Sequence, residues 1–338
     1  MFKRLVRTRP LPSIPARFGI RSGAQLARDL GKIVGHLPSG DRYTFDWRSA
    51  ALLRPDLSLP AYAGLLPTDG VAPIFNFFDR VGGARGFRST VTRATLQDWR
   101  GHRLSYDEHD GTDFVCPPGT PLVAAAPGVV VAERDTWLRG GLTLCVDHGD
   151  GVVTHYTHLS ALVAEIGQRV ERADVIALAG TSGFDMTQFF PWVPPHVHFM
   201  VWVDGTPVDP YLAPGESKRA GAWEHGNDPR TSKGPLDGDP SPSSIVIGLD
   251  ASAIDRVTSL CRDAAVRAEL EGAPTHATRL ALLEDSLHHE RHIWPEGARA
   301  SLRPRGNPER VRLTLPLPAD LYERARPSDT VWSRGALS

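Results

Sequence analysis

The sequence predicts a mainly β protein with a smaller helical region toward its C-terminal end. Five short runs rich in valine, leucine and aromatic residues are separated by turns that contain glycine or proline: 122–131, 142–147, 152–158, 175–178 and 196–203. Strands at this spacing are typical of an antiparallel all-β architecture. After residue 250, apolar residues recur at helical spacing instead. The change of period therefore predicts a second, α-rich region.

Length and composition allow one large hydrophobic core and a second, smaller unit. The chain has 338 residues, of which 41% are apolar and 23% are charged. A net charge of -1 gives no reason to expect nucleic acid as a partner. Three scattered cysteines are too few for a disulfide framework. The sequence contains no apolar stretch long enough to cross a bilayer, so we predict no transmembrane segment.

The run 196–203 presents two histidines on one face of a predicted strand. Alternate side chains of a strand point the same way. One face is therefore apolar and is expected to pack on the core, whereas the other, open face carries His196, His198, Met200 and Trp202. Paired imidazoles on an open face can bind a metal or act as a base and an acid.

A second polar cluster, His109-Asp110-Gly111-Thr112-Asp113, leads into a strand-like run. The Asp-Gly pair favours a turn, so chain reversal would bring His109 and Asp113 together. One imidazole from the pair at 196 and 198 would complete a set of two nitrogens and one oxygen. Such a set suits zinc and leaves a fourth position for water, as in catalytic zinc sites.

A third cluster lies in the run 152–158. Alternation places Thr154, Tyr156 and His158 on one face, and His155 on the other with its neighbours. Only one of the two histidines can therefore face the same way as Tyr156. We expect His155 to be a packing or surface residue, and His148, in a turn between two strands, to be structural.

Several spaced motifs resemble the lysostaphin-like (LytM-type) zinc metallopeptidases, which cut peptide cross-links in bacterial peptidoglycan. The resemblance covers roughly residues 100–212 and follows the order of the family's motifs. The matching residues are His109-x-Gly111-x-Asp113, Gly119 to Ala124 with Gly128-Val129-Val130, Asp147-His148-Gly149-x-Gly151, Thr154-x-Tyr156-x-His158-Leu159-Ser160, Gly167-Gln168-x-Val170, and His196-x-His198-Phe199.

The resemblance implies one zinc ion bound by His109, Asp113 and His198, with His158 and His196 as unligated catalytic histidines beside the metal. It implies an antiparallel, β-sandwich-like core of the duplicated hybrid motif type, with zinc at the floor of a groove. It also implies hydrolysis of peptide bonds in peptidoglycan or another peptide substrate. The chain has no His-Glu-x-x-His motif, so a histidine must act as the base.

An alternative function is a non-hydrolytic binding or activator protein of cell-wall hydrolases on the same fold. Such regulators commonly lack metal ligands, whereas all the implied ligands and catalytic histidines are present in this sequence. The sequence therefore favours the enzyme. It departs from the family at residues 184–195, where Phe189, Phe190 and Trp192 are inserted between prolines. This insertion should form a longer wall beside the groove, which either contacts substrate or packs on the sheet edge.

We expect five regions along the chain. A basic N-terminal segment, 1–40, carries eight lysines and arginines before residue 37 and only one acid, Asp29, but shows no secretory signal. A lead-in, 41–100, is expected to pack on the peptidase domain, 101–213. Glycine, proline and serine predict a flexible linker over 214–243. The family acts in the cell envelope or outside the cell, but the sequence does not show how this chain would be exported.

The last region, 244–338, is expected to be α-rich. Its first apolar stripe consists of Ile254, Val257, Cys261, Ala264 and Ala268. A second helix is predicted over 280–294, and the alternating run 311–317 predicts an edge strand. This region could dock on the peptidase, bind a protein partner or cover the groove.

The C-terminal region also offers a competing metal site. His288 and His292 would stack one helical turn apart, with Glu284 one turn earlier. The apolar stripe of this helix lies elsewhere, which favours a solvated face over a metal site.

Overall fold

The computed structural model describes residues 5–7, 11–36, 50, 52–81, 96–106, 108–136, 140–187, 189–298, 302–304 and 306–329. The strands are β1 Leu5–Arg7, β2 Leu65–Pro67, β3 Val71–Asn76, β4 Thr112–Val115, β5 Pro121–Val123, β6 Gly128–Thr136, β7 Gly141–Asp147, β8 Val152–Leu162, β9 Arg169–Val170, β10 Val175–Ala179, β11 His196–Val203, β12 Thr206–Val208 and β13 Arg324–Pro327. The helices are α1 Ile14–Arg17, α2 Gly23–His36, α3 Pro55–Tyr62, α4 Phe184–Thr187, α5 Ala251–Ser259, α6 Ala264–Glu271 and α7 His276–His289. The expectation of a mainly β protein with some helices is confirmed.

Most strands join one sheet of eleven strands, in the order β13-β3-β4-β11-β8-β7-β6-β9, with β10, β5 and β12 attached beside this path. The pairing is antiparallel except between β13 and β3. β3 belongs to the predicted lead-in, so the lead-in contributes a strand next to β4. The N-terminal strand β1 pairs with β2 in a separate two-stranded sheet. Residues 1–4, 8–10 and 37–49 of the N-terminal regions lie outside the described ranges.

The two faces of β11 are both covered along most of their length. Val197, Phe199 and Val201 are fully buried in the main core, as alternation predicts. On the opposite face, Met200 and Trp202 are buried against Ala281 of α7. The expectation of an open face is therefore wrong at this end of the strand, because the C-terminal helix covers it. Each large apolar side chain buried in this way contributes roughly 1.5–3 kcal/mol.

The described part of the C-terminal region contains three α-helices, α5, α6 and α7, where the sequence predicted two. The predicted first stripe is split after Ser259, because the Asp263 side chain accepts hydrogen bonds from Ala265 N and Val266 N and so begins a new helix. Asp250 and Thr275 cap α5 and α7 in the same way. Apolar residues of α5, α6 and α7 share one buried cluster.

Buried ion pairs connect this helical region to the sheet. The Arg303 side chain, only 4% exposed, binds both oxygens of Glu284 in α7 at 2.8 and 2.9 Å. Its third bond, of 2.8 Å, reaches Asp147 at the end of β7. Arg134 of β6 forms a second ion pair with Asp285 of α7. The helix is thus held to two neighbouring strands by charge as well as by apolar contact.

The segment 214–243 is not a flexible linker in the structure, which corrects the prediction from its composition. Trp223 is fully buried and stacks on Phe199 at a centroid distance of 5.6 Å. Arg172 binds both carboxylate oxygens of Asp239, at 2.7 and 2.6 Å. The packing of one large aromatic residue and one buried ion pair hold this segment against the rest of the protein, although its composition is typical of a loop.

The run 311–317 forms a single bridge, between Leu313 and Trp223, rather than the predicted edge strand. The strand of this region is β13 instead. None of the helices in the described ranges is long and apolar enough to span a membrane.

We expect Arg303→Met to lower the free energy of unfolding by about 3–5 kcal/mol, because it leaves two buried carboxylates without their cation. Chemical denaturation followed by circular dichroism measures this loss. Arg326→Met, which removes an exposed arginine, is the control and should change stability by less than about 0.5 kcal/mol. Equal effects of the two substitutions would contradict the role given to the buried network.

Candidate metal centre

The register of two strands brings the first polar residues together. β4 and β11 pair so that Asp113 lies directly opposite His198. His109 precedes β4 in a turn whose backbone is fixed by hydrogen bonds from His109 N to Tyr106 O and from Asp79 N to His109 O. The chain is not helical between His109 and Asp113 but bends at Gly111, and the two side chains lie side by side.

Three side-chain atoms converge at this point. Nε2 of His109 lies 3.1 Å from Oδ1 of Asp113 and 3.0 Å from Nδ1 of His198. Nδ1 of His198 lies 2.8 Å from the same oxygen of Asp113. Among the described residues, this is one of two groups whose histidine and carboxylate atoms are close enough to share a metal ion.

Outer hydrogen bonds determine which atom of each ligand faces the centre. His109 Nδ1 donates to the Phe77 carbonyl oxygen at 2.7 Å, and His198 Nε2 donates to Asp110 Oδ1 at 3.1 Å. The other nitrogen of each neutral ring therefore carries a lone pair that points inward. Asn76 Nδ2 binds the outer oxygen of Asp113 at 2.7 Å and leaves Oδ1 to face the centre.

This arrangement fits a zinc ion. Three lone pairs that meet within hydrogen-bond distance require a positive charge between them, either a proton or a metal. With Zn–N and Zn–O distances of about 2.0–2.1 Å, tetrahedral ligand atoms lie about 3.3 Å apart, a few tenths of an ångström beyond the separations found here. Hydrogen bonds from outer carbonyl and carboxylate groups are typical of zinc-bound histidines.

His196 and His158 lie beside this group without belonging to it. His196 Nε2 is 3.4 Å from Asp113 Oδ1, while its Nδ1 donates to the Pro194 carbonyl oxygen at 2.8 Å. His158 Nδ1 donates to the Ser182 carbonyl oxygen at 2.8 Å. The two rings are 5.0 Å apart and nearly perpendicular. In both neutral rings, Nε2 therefore keeps a lone pair.

His158 does not reach the site by the regular alternation that was predicted for β8. Tyr156 is fully buried in the main core, so its face is not the site face. His158 has a left-handed backbone with φ of 61°, and the register between β7 and β8 shifts at this point. This β-bulge puts Thr157 and His158 opposite a single residue of β7 and turns His158 away from the core.

His155 and His148 are packing residues, although His155 is on the opposite face from the one expected. His155 pairs with Met200 in the register and stacks on Trp202 at 5.0 Å, so it shares the sheet face of His198. Burial lowers its pKa to about 3. His148 is held in its turn by the Pro127 carbonyl oxygen and the Thr154 hydroxyl, and burial lowers its pKa to about 4.

Asp110 is a residue of the site that the sequence reasoning did not select. Besides its bond to His198, it faces the end of α7, where Nε2 of His289 lies 3.5 Å and Nε2 of His288 lies 3.9 Å from its Oδ2. The prediction of a solvated face for these helix residues is wrong at His288 and His289, because α7 packs on the sheet at Trp202. His292 is exposed, as predicted.

The ionisable side chains of the centre shift one another's pKa values. Burial alone would raise the pKa of Asp113, but the adjacent His109 and His196 rings hold it well below its usual range. Burial lowers the pKa of the His196 ring to about 4, against the opposing effect of Asp113. Burial also disfavours the charged His198 ring, yet the hydrogen bonds to Asp110 and Asp113 raise its pKa to about 10.

The centre is buried, and a partly exposed residue of the insertion lies next to it. His109, Asp113, His158, His196 and His198 are each at most 9% exposed. Asp185 of α4, with a side chain that is 39% exposed, lies 3.9 Å from His158 Nε2. Asp185 thus links His158 to a partly exposed position of the insertion.

The insertion 184–195 both packs and presents aromatic surface. Met186 and Val193 are buried with Leu57 and Ala61 of α3. Phe190 and Trp192 are each 47% exposed.

A cleft of about 670 Å³ lies elsewhere, between the sheet and the C-terminal region. It is lined by Arg172, Asp239 and His148 and shares no residue with the histidine and aspartate centre. Arg172 and Asp239 bind each other, and His148 is fixed by two hydrogen bonds. The polar side chains of this cleft that are named here are therefore already engaged with each other or with the backbone.

Comparison with known proteins confirms the resemblance to the lysostaphin-like peptidases. Residues 107–210 match the family described as peptidase family M23. The chain is 37% identical over 101 residues to the peptidoglycan DD-endopeptidase ShyA of Vibrio cholerae, which covers 30% of this chain and 22% of ShyA. It is 33% identical over 102 residues to the DD-carboxypeptidase/endopeptidase Mpg of Neisseria meningitidis, with the same coverage of 30% and 22%. The chain thus spans about a fifth of the length of these relatives.

A solved structure of the catalytic domain of the antimicrobial peptidase lysostaphin from Staphylococcus simulans is also similar. The sequence identity is 29%, and the match covers 30% of this chain and 76% of that one, with a TM-score of 0.27. A zinc-containing peptidase from Vibrio cholerae matches at 29% identity over 41% of this chain and 36% of that one, with a TM-score of 0.31.

We expect Gly111→Ala to weaken Zn²⁺ binding, because a Cβ at this position would lie 2.8 Å from the His198 ring and 2.7 Å from the Phe199 carbonyl oxygen. Displacement of a ligand ring should cost roughly 10- to 100-fold in affinity, as the loss of an outer partner does. Competition titration with a zinc chelator measures the change. Gly234→Ala, where the new Cβ has no atom within 4 Å, is the control. Unchanged affinity in Gly111→Ala would exclude this ligand geometry.

Proposed function

We propose that this chain is a zinc metalloendopeptidase that hydrolyses peptide bonds in peptidoglycan cross-links. The observation that carries the proposal is the convergence of three ligand lone pairs beside two further histidines, each with its own lone pair on Nε2. The match of residues 107–210 to peptidase family M23, and the names of the relatives as peptidoglycan endopeptidases, support the substrate class.

His109 Nε2, Asp113 Oδ1 and His198 Nδ1 would hold one zinc ion. When bound, zinc would polarise the scissile carbonyl group and lower the pKa of a water molecule to about 7. The chain supplies two nitrogens, one oxygen and no fourth protein ligand among the residues described around this centre. This ligand number suits a catalytic site.

His196 is the residue that we assign to proton transfer. Its Nδ1–H is held by the Pro194 carbonyl oxygen, so Nε2 is free to accept the proton of the attacking water. The Asp113 carboxylate, 3.4 Å away, stabilises the imidazolium that results. Burial lowers the pKa of His196 to about 4, which favours the neutral ring before the proton transfer, and the imidazolium would then return this proton to the leaving amine.

We assign to His158 a polar contact with the substrate, beside the proton transfer assigned to His196. Its ring lies 5.0 Å from that of His196, on the side where Asp185 reaches the surface. A peptide that enters from this side would meet His158 before His196. We therefore propose that His158 positions the scissile peptide group, and that Phe190 and Trp192 of the insertion flank its approach.

The finer architecture is part of this proposal. We infer a β-sandwich-like core of the duplicated hybrid motif type, with the metal at the floor of a groove, formed by the peptidase domain 101–213. The α-rich region 244–338 would then be a docked extension of this domain. The ion pairs of Arg303 with Asp147 and Glu284 and of Arg134 with Asp285 support this docking.

We expect His196→Ala to keep zinc and to lose hydrolysis by roughly 10²- to 10⁴-fold, the usual contribution of a general base. His109→Ala should lose both zinc and hydrolysis. Metal analysis of each variant beside a peptide-cleavage assay separates the two effects. His276→Ala, which changes a half-exposed histidine of α7, should retain both properties. Cleavage at the unmodified rate by His196→Ala would remove His196 from the mechanism.

We expect the zinc-loaded protein to release peptide fragments from purified peptidoglycan. Mass spectrometry of these fragments should show new amine and carboxyl ends, and the positions of the ends identify the bond that is cut. Chelator-treated protein and His196→Ala are the matched controls. Absence of release by protein with bound zinc would refute the endopeptidase proposal and would favour a non-hydrolytic activator of wall hydrolases.

A further inference from the structure

The end of α7 brings two histidines to the metal centre's outer carboxylate. His288 and His289 are consecutive residues at the last turn of the helix, and both Nε2 atoms face Asp110 Oδ2, at 3.9 and 3.5 Å. We propose that Asp110, His288 and His289 form a second site for a divalent transition metal, at the junction between the sheet and the C-terminal helix. No part of the peptidase proposal requires this site.

The geometry is close to that of a bound metal. The three candidate ligand atoms lie within 4.8 Å of one another. Tetrahedral zinc ligands lie about 3.3 Å apart, so small rotations of the two rings would bring both nitrogens into range. The side chains are sheltered, with 4% of His289, 10% of Asp110 and 20% of His288 exposed. A metal here would be largely removed from water but reachable from the His288 side.

The two oxygens of Asp110 face different partners. Oδ1 accepts the hydrogen bond of His198 Nε2 at 3.1 Å, whereas Oδ2 faces the two helix histidines. The neighbouring acid Asp285 lies 3.3 Å from His289 Nε2 and also pairs with Arg134. Asp110 can therefore present one oxygen to the helix while the other holds His198 in place.

The chemical types of the three ligand atoms indicate which metals this second site would bind. Two imidazole nitrogens and one carboxylate oxygen suit zinc and its neighbours among the first-row transition metals. Calcium and magnesium prefer sets made of oxygen alone. Two imidazoles that share one carboxylate oxygen would repel each other if both were protonated, with ring centroids 4.6 Å apart.

The location gives the second site a structural consequence. A metal bound there would tie α7 to the turn 109–113, in addition to the ion pairs of Arg303 and Arg134. It would also fix the carboxylate that orients His198. Binding to the folded chain alone stabilises it by RT ln(1 + [L]/Kd), so occupancy should raise the melting temperature.

The test counts metal ions bound to the full chain. The protein is stripped with a chelator and titrated with Zn²⁺, and with Co²⁺ as a spectroscopic probe. We expect two equivalents for the unmodified chain, and one each for His109→Ala and for the double variant His288→Ala with His289→Ala. Combining all three substitutions should abolish binding. The Co²⁺ absorption spectra of the two single-site proteins should differ, since their ligand sets are held in different surroundings.

The control is His292→Ala, which removes an exposed histidine three residues beyond the site and should still bind two equivalents. Circular dichroism checks that each variant is folded. If the double alanine variant unfolds, His288→Gln and His289→Gln, tested singly, must each weaken the second equivalent. One equivalent for the unmodified chain, or two for a folded double variant, would overturn the proposal. Peptide cleavage is not a readout here, so an inactive protein that binds two ions leaves this inference intact and refutes only the proposed function.

Discussion

The pairing of β4 with β11 is the constraint on which the candidate centre depends. It places Asp113 directly opposite His198, while Phe114 and Val197, the next pair along, face the core. A slip of one residue would bury the ligands in the apolar core and turn the core residues outward. The four apolar residues Phe114, Val197, Phe199 and Val201 therefore determine which face the candidate ligands share, and the observed register then sets Asp113 opposite His198.

The C-terminal region extends this constraint to the other end of β11. Met200 and Trp202 point to the same side as His198, and α7 covers them. The helix is fixed there by buried ion pairs, whose loss would leave charges without partners in a region removed from water. Since His288 and His289 then face Asp110, the packing of a helix that lies outside the peptidase motifs affects the surroundings of a metal ligand.

The sequence predicted the parts of the centre that follow from period and turn chemistry. The turn at Gly111 predicted that His109 and Asp113 lie together, and alternation along β11 put His196 and His198 on one face, but only the resemblance to the lysostaphin-like peptidases selected His198 as the third ligand. Alternation was not sufficient at His158. A β-bulge that contains a left-handed residue changes which face of the strand the following side chains point to, and no residue pattern predicted this bulge. The predictions of a solvated face at His288 and of a flexible linker over 214–243 were wrong for another reason. Both depend on contacts with distant parts of the chain, which local composition does not encode.

Hydrogen-bond partners of two candidate ligands lie outside the segment that carries the motifs. His109 owes its orientation to the Phe77 carbonyl oxygen, and Asp113 is held by Asn76, both of which precede the matched range 107–210. Asn76 is the last residue of β3, which pairs with β4 and so reaches the centre only as part of the sheet. The motifs contain the candidate ligands, but Asn76 and Phe77, at and just after the end of β3, determine which atoms His109 and Asp113 present. A segment cut at the boundaries of the match, 107–210, would keep all three candidate ligands and lose the hydrogen bonds that orient His109 and Asp113.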